Sequence, residues 1–115
     1  MKNWTTVKEW DYRGALCEIK RFYWSIQSPL LRPYHTGYAR LPGPFDGADV
    51  ANNIDVHGGV TYHRESSDGT ETIGFDCYHS DDENNPQLMD VDWLTSEVER
   101  MVDQLIARRD GEGGS

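Results

Sequence analysis

The sequence contains no long apolar run, few lysines and only two cysteines. No apolar stretch approaches the roughly twenty residues of a membrane-spanning helix, so we expect no association with a membrane. The first residues, Met1 to Thr5, lack the apolar stretch of a signal peptide, which favours a cytoplasmic location. Cys17 and Cys77 lie far apart and form no Cys-x-x-Cys pair, so we expect buried free thiols and no structural disulfide.

Motifs of the common enzyme classes are also missing. The sequence has no phosphate-cradling glycine loop, and Ser80 lacks the flanking glycines of a nucleophile elbow. No nucleophile stands at a recognisable spacing from its partners. The sequence therefore identifies no catalytic residue, and it favours a protein that is not an enzyme.

The chain of 115 residues fits a single domain over positions 1–115. Hydrophobic residues make up 37 % and aromatic residues 11 %, which suffices for a modest core. We expect the core to span roughly residues 10–109, with a flexible tail at 110–115.

Negative charge is concentrated in one part of the sequence. The net charge is −9, yet residues 1–64 carry six acidic and eight basic side chains. Residues 65–103, named here the acidic segment, carry twelve acidic side chains and one basic side chain. Such a surface repels phosphate backbones, so we expect no direct binding of nucleic acid. It would attract a basic groove on another protein, although the same acidity is typical of many soluble proteins.

Two strands are predicted before the acidic segment. Residues 13–21 alternate between apolar and polar side chains, as a half-buried strand does. Residues 34–41 form a second candidate strand, and the aromatic, proline-broken stretch at 22–33 indicates a loop. Residues 43–53 are polar and rich in turn formers, which indicates a surface excursion.

A β-hairpin is predicted from residues 54–63 and 72–79. Burial of apolar side chains from both strands predicts a register with Tyr62 opposite Ile73. Polar side chains of both strands then share the other face, and these are His57, Asp76 and Tyr78.

The C-terminal part predicts an amphipathic helix. Ser96 and Glu99 match a capping box, and Gly111 follows the last helical residues. Six apolar residues recur at helical spacing and are expected to cover the sheet: Leu94, Val98, Met101, Val102, Leu105 and Ile106. The predicted fold is therefore α+β, an antiparallel sheet of about four strands with this helix packed across one face.

Side chains that could act as a general base or as metal ligands cluster in two motifs of the hairpin. A carboxylate beside an imidazole can raise the pKa of the imidazole and fix its tautomer, as a general base or a metal ligand requires. The adjacent glycines either make room for the helix or give a ligand access to the backbone. The candidate ligand or metal residues are His57, Gly58, Gly59, Asp76, Cys77, Tyr78, His79 and Asp82. Ordinary hydrogen-bonded strand residues would produce the same pattern.

Several motifs follow one another in a fixed order: Cys17-Glu18-Ile19, His35 to Pro42, His57 to Tyr62 (HGGVTY), Gly74 to His79 (GFDCYH), and Trp93-Leu94-Thr95. This succession resembles a family of small uncharacterised proteins common in bacteriophage and prophage genomes, over roughly residues 10–108. In that family a Gly-Asp pair follows the last histidine closely. Here the positions hold Asp81 and Asp82, so the aspartate matches and the glycine does not.

The resemblance implies an accessory protein that acts by stoichiometric binding in the cytoplasm of a host cell. With the acidic segment, it favours a non-catalytic inhibitor of a host defence or nucleic-acid-handling protein, such as an anti-CRISPR protein or a DNA mimic. The partner would present a basic groove, and the oligomeric state stays open. The candidate partner-binding residues are Asp81, Asp82, Glu83, Asp68, Glu65, Glu71, Trp24 and Tyr23.

The alternative is a protein that binds a small ligand, such as a nucleotide, or a metal, and it includes a hydrolase. Its site would lie around the HGG and FDCYH motifs. The leading hypothesis needs no cofactor, whereas the alternative would use zinc or another divalent metal. Cys-x-His alone is not a recognised zinc spacing, so further ligands would have to converge in the fold.

Overall fold

The computed structural model describes residues 4–23, 33–77 and 89–111. The elements in chain order are β1 (Trp4–Tyr12), β2 (Ala15–Phe22), β3 (Tyr34–Pro42), α1 (Gly47–Asn53), β4 (Tyr62–Glu65), β5 (Thr70–Asp76) and α2 (Val91–Arg109). The five strands form one antiparallel sheet in the order β1-β2-β3-β5-β4, and α2 packs on β2 and β3. The predicted α+β fold is confirmed, with one strand more than expected.

The additional strand is β1, at the edge of the sheet. It pairs with β2 through a tight turn at Arg13 and Gly14, both of which have positive φ angles (51° and 85°). Such angles suit the two-residue turns that join twisted antiparallel strands. The β1 register shifts between Thr6 and Lys8. This bulge interrupts the alternation of β1, which explains why its sequence pattern did not indicate a strand.

The predicted hairpin exists, but the register predicted for it is wrong by one residue. Tyr62 pairs with Gly74, and His63 pairs with Ile73. Residues 54–61 are not part of a strand. A one-residue shift moves a side chain to the other face, so Tyr62 points away from α2 and is 38 % exposed.

A short helix, α1, replaces the irregular excursion expected at residues 43–53. Asp46 caps it, because its carboxylate accepts hydrogen bonds from the backbone N–H groups of Ala48 (2.9 Å) and Asp49 (3.1 Å). Val50 is buried, and Asp49 forms an ion pair with Arg108 of α2 (2.6 Å). Contacts distant in sequence therefore hold α1 in place.

The C-terminal helix begins earlier than the capping-box pattern indicated. Asp90 is the N-cap residue, and Ser96 lies inside the helix, where its hydroxyl donates to the Asp92 carbonyl (3.2 Å). Gly111 has a φ of 77° directly after the helix, as expected of a helix terminus. All six predicted apolar positions of the helix are buried.

The core lies between α2 and one face of the sheet, named here the helix face. Strand residues of this face include Cys17, Ile19, Ala39, Ile73 and Phe75, all at most 1 % exposed. Cys17 and Cys77 are buried free thiols, as predicted. Among the described helices, none is long and apolar enough to cross a membrane.

Candidate functional site

The HGG motif lies beside the helix and not in a strand. The His57 backbone N–H donates to the Glu97 carboxylate (2.9 Å), and the His57 ring packs edge-on against Trp93 at 5.9 Å between ring centroids. Gly58 and Gly59 have φ angles of 69° and 81°, a conformation that glycine adopts without strain. Gly58 is exposed, and a Cβ at Gly59 would meet nothing within 4 Å. The glycines therefore form a turn, and Gly59 does not make room for the helix.

His57 and Asp76, which were predicted to share one polar face, lie on opposite sides of the sheet. Asp76 pairs with Thr36 and points away from α2, because its neighbour Phe75 is buried on the helix face. His57 lies on the helix side. Cys77 is buried, and its backbone N–H donates to the His35 carbonyl (3.0 Å). The structure therefore does not bring His57 and Asp76 together.

The remaining candidate ligands, Tyr78, His79 and Asp82, lie outside the described residues. Within residues 4–23, 33–77 and 89–111, no group of three His, Cys, Asp or Glu side chains could hold a metal ion. A metal site that includes His79 and Asp82 stays a prediction.

A histidine–carboxylate pair does occur, at a place that the motifs did not indicate. His63 and Glu71 lie on the helix face of the β4–β5 hairpin and contact each other through Nε2 and Oε1. The other Glu71 oxygen accepts the backbone N–H of Phe45 at 3.0 Å. Glu71 is only 4 % exposed, so its predicted place on a partner-binding surface is corrected to the interior. Its role here is to hold the chain after β3 against the hairpin.

Other carboxylates of the acidic segment also make internal contacts. Glu97 binds Arg100 (2.6 Å), and Glu99 accepts from the Trp10 indole N–H (3.1 Å). Asp103 accepts from the Tyr12 hydroxyl at 3.0 Å, which joins β1 to α2. These carboxylates stabilise the packing of the helix, so much of the local negative charge has a structural use.

Among the described residues of the acidic segment, the exposed carboxylates lie in two places. Glu65 is the last residue of β4 and Asp68 lies in the turn that follows, whereas Asp90 and Asp92 lie at the start of α2. Asp68 also pairs with Arg40 (2.8 Å), and hydrogen bonds from Thr70 hold the pKa of Asp68 below its ordinary value.

Five further residues were predicted to bind a partner: Tyr23, Trp24, Asp81, Asp82 and Glu83. Tyr23, directly after β2, is 44 % exposed, and its role in binding a partner stays a prediction. Asp81, Asp82, Glu83 and Trp24 lie outside the described residues.

The sheet face turned away from α2, named here the outer face, carries two rows with aromatic side chains and a polar row between them. The strand registers give an aromatic row, Trp4–Phe22–Tyr34. They give a polar row, Thr6–Lys20–Thr36–Asp76. They also give a second aromatic row, Tyr38–Gly74–Tyr62. Polar groups thus lie between two lines of aromatic rings.

The rings of the two aromatic rows contact their neighbours. Phe22 and Tyr34 stack at 5.2 Å with an interplanar angle of 8°, and Tyr38 meets Tyr62 edge-on at 5.4 Å. A Cβ at residue 74 would lie 2.5 Å from the Tyr38 ring, so Gly74 leaves the space that this ring occupies. Burial raises the pKa of the Tyr38 hydroxyl above its ordinary value.

Between the two aromatic rows lies a groove of about 300 Å³. We name it the aromatic slot, and its principal lining residues are Phe22, Tyr34, Thr36, Tyr38, Tyr62 and Asp76. Thr36 is 5 % exposed, and its Oγ1 has no hydrogen-bond partner among the described residues. Of this set, only Asp76 was among the predicted ligand or metal residues. The alternation of Phe22 in β2 and of Tyr34, Thr36 and Tyr38 in β3 was the available signal, but only the register joins it to Tyr62.

Comparison with known proteins gave no match: no protein-family model, no curated protein and no solved structure matches this chain. The resemblance to bacteriophage and prophage proteins therefore stays a prediction from the motifs.

Proposed function

We propose that this protein is a non-catalytic inhibitor that binds a host defence or nucleic-acid-handling protein. The observation that carries the proposal is the acidic segment, with twelve acidic side chains against one basic side chain. Its partner would present a basic groove of the kind that holds nucleic acid. Opposite potentials on two surfaces speed their association and disfavour wrong partners.

Folding divides the acidic segment into two sets of carboxylates. The internal set, which includes Glu71 and Glu97, stabilises the scaffold and is not available to a partner. The exposed set includes Glu65 and Asp92. A partner surface would therefore meet the exposed set, together with the acidic residues 81–83 that lie outside the described residues.

Charge steers association, but affinity requires buried anchors. Interface hot spots are enriched in Trp, Tyr and Arg. Tyr23 is 44 % exposed at the end of β2 and provides a large amphipathic ring for this purpose. Tyr23→Ala should therefore raise the dissociation rate of the complex, whereas charge reversals should mainly lower the association rate.

The test starts with affinity capture from a host lysate and continues with the purified partner. Association rates are measured at about 50 and 300 mM salt, since screening by salt acts on exposed charge. The test variant is Asp81→Lys with Asp82→Lys. The matched control is Glu9→Lys with Asp11→Lys, two exposed β1 residues outside the acidic segment with the same change in charge.

We expect the test variant to associate much more slowly at low salt and the control to change little. Equal slowing of both would mean that net charge, and not the acidic segment, governs binding. Competition with DNA then tests mimicry directly. A partner that holds DNA and this protein together, with undiminished affinity for both, would refute the DNA-mimic form of the proposal.

A further inference from the structure

We propose that the aromatic slot on the outer face binds a small quaternary ammonium cation of the size of choline, held by aromatic rings and by the Asp76 carboxylate. The slot is a different surface from the exposed carboxylates Glu65 and Asp92, which the inhibitor function would use. The inference therefore goes beyond that function, and either proposal can fail without the other.

The charge of the slot favours a cation. Asp76 of β5 is the only charged residue among the described residues that line the slot. Its side chain points to the outer face, because its neighbour Phe75 is buried on the helix face. A positively charged ligand is attracted by this carboxylate, whereas a negatively charged one is repelled.

The rings of the slot suit the same ligand. Phe22 and Tyr34 lie parallel within 8°, whereas Tyr38 and Tyr62 stand at 84° to each other. Two rings at right angles form a corner in which one cation can contact both. The electron-rich faces of aromatic rings attract cations, and groups of such rings recognise quaternary ammonium ligands.

A cation of the chain itself is held in the same manner beside the slot. The Lys20 ammonium lies 4.0 Å from the Trp4 ring centroid and 5.0 Å from that of Tyr38. The Glu18 carboxylate lies 4.0 Å from this ammonium and offsets its charge. Lys20 does not line the slot, and no other basic side chain is among its lining residues. The slot therefore offers a second combination of aromatic rings and one carboxylate, which a cation from solution can fill.

The size and chemistry of the slot favour a methylated ammonium over other cations. Its volume of about 300 Å³ lies at the lower end of the range for small-ligand sites. A metal ion needs several protein ligands, and no group of three His, Cys, Asp or Glu side chains in the described part of the chain could hold one. A primary ammonium is strongly hydrated, and aromatic rings cannot replace the hydrogen bonds that it makes with water. The methyl groups of a quaternary ammonium need no such replacement.

The experiment titrates the full chain with choline chloride by calorimetry at low ionic strength, with sodium chloride as the reference titration. We expect one choline per chain with a Kd of about 1 mM or tighter. Dimethylbutanol, in which carbon replaces the charged nitrogen, should bind at least about tenfold more weakly, because it lacks the cation. Ethanolamine keeps a cation without the methyl groups and should also bind at least about tenfold more weakly. Phosphocholine tests a lipid headgroup as the source of the ammonium, and it should be a weaker ligand than choline because Asp76 repels its phosphate.

Two pairs of variants locate the cation, and the thermal midpoint of each variant shows that it is folded. Asp76→Asn removes the charge at similar volume, so it should weaken choline about tenfold and leave dimethylbutanol unchanged. Asp11→Asn is the matched control, an exposed β1 residue outside the slot, and it should change the affinity by less than about twofold because salt screens a distant charge. Tyr62→Leu removes one ring and should weaken choline by about three- to tenfold, whereas Tyr62→Phe keeps the ring and should retain the affinity.

Four results would overturn the proposal. The first is no saturable heat of binding with choline up to about 5 mM. The second is equal affinity for choline and dimethylbutanol, which would make the slot an apolar groove without a preference for charge. The third is choline binding that Asp76→Asn and Tyr62→Leu leave unchanged, which would place the cation elsewhere. The fourth is tighter binding of ethanolamine or phosphocholine than of choline, which would assign the site to a primary ammonium or to a lipid headgroup.

Discussion

Glu65 and Glu71 are paired across the β4–β5 hairpin, and only Glu71 is buried. Glu71 lies 4 % exposed between His63 and the Phe45 backbone N–H, whereas Glu65 is exposed at the end of β4. The same residue type therefore holds the chain together at one position and faces the surroundings at the other.

This difference predicts unequal effects of the same substitution. Glu71→Ala should destabilise the protein by about 2 kcal/mol, because it leaves the Phe45 N–H and the His63 ring without their partner. Glu65→Ala should change the free energy of unfolding by about 0.5 kcal/mol or less. Urea denaturation of both variants measures the difference. Equal effects would mean that the Glu71 carboxylate is not buried in the folded protein.

The contact between α2 and the sheet gives a second prediction. Val98 is fully buried, so Val98→Asp places a carboxylate in an apolar interface and should destabilise the protein by roughly 3 kcal/mol or more. Ser96→Asp introduces the same side chain at an exposed position of the same helix and should cost about 0.5 kcal/mol or less. If urea denaturation gave equal stabilities for the two variants, α2 would not cover the sheet.

The elements that the sequence predicted are those with regular local patterns. β2 and β3 alternate along their length, and α2 repeats its apolar residues at helical spacing, so local periodicity alone is sufficient. β1 escaped detection because its bulge between Thr6 and Lys8 breaks the alternation. α1 escaped because its Val50 and Asp49 are held by partners distant in the sequence.

The candidate site depends even more on contacts between strands. The Tyr38 ring of β3 occupies the space beside Gly74 of β5, a contact between strands that local burial arguments cannot anticipate. The aromatic slot joins Phe22, Tyr34 and Tyr62 from three strands, so it exists only once the register is known. Sequence reasoning could name Asp76 but could not find its neighbours.

Cys17 gives a prediction for alkaline pH. Burial raises the pKa of the Cys17 thiol from 9.0 to about 12. The unfolded chain ionises first as pH rises, so the contribution of this group is fully present below pH 9 and is lost between about pH 9 and 12. The slope of unfolding free energy against pH should therefore be shallower in Cys17→Ala than in the parent between about pH 9 and 10.5. Parallel slopes would mean that the thiol reaches solvent in the folded protein.

Metal content tests the alternative site that includes His79 and Asp82. If the protein acts as a cofactor-free inhibitor, protein purified without a metal-affinity step should contain less than about a tenth of an equivalent of zinc, manganese or iron. Treatment with a chelator should then leave the thermal midpoint unchanged, because a bound metal would stabilise the folded state. One equivalent of metal, lost in His79→Ala and retained in His63→Ala, would favour the alternative.

Gly74 tests the architecture of the aromatic slot without any ligand. A Cβ at this position would lie 2.5 Å from the Tyr38 ring and 2.7 Å from the Gly37 carbonyl oxygen, so Gly74→Ala must displace the ring or the strand. We expect a loss of about 1–3 kcal/mol in unfolding free energy, the usual cost of overpacking, together with a changed near-ultraviolet circular dichroism of the tyrosines. Gly47→Ala is the control, because a Cβ there meets nothing within 4 Å, and it should leave stability unchanged or slightly raised. A Gly74→Ala protein as stable as the parent, with unchanged tyrosine dichroism, would show that Tyr38 does not lie over β5 and that the slot has a different shape.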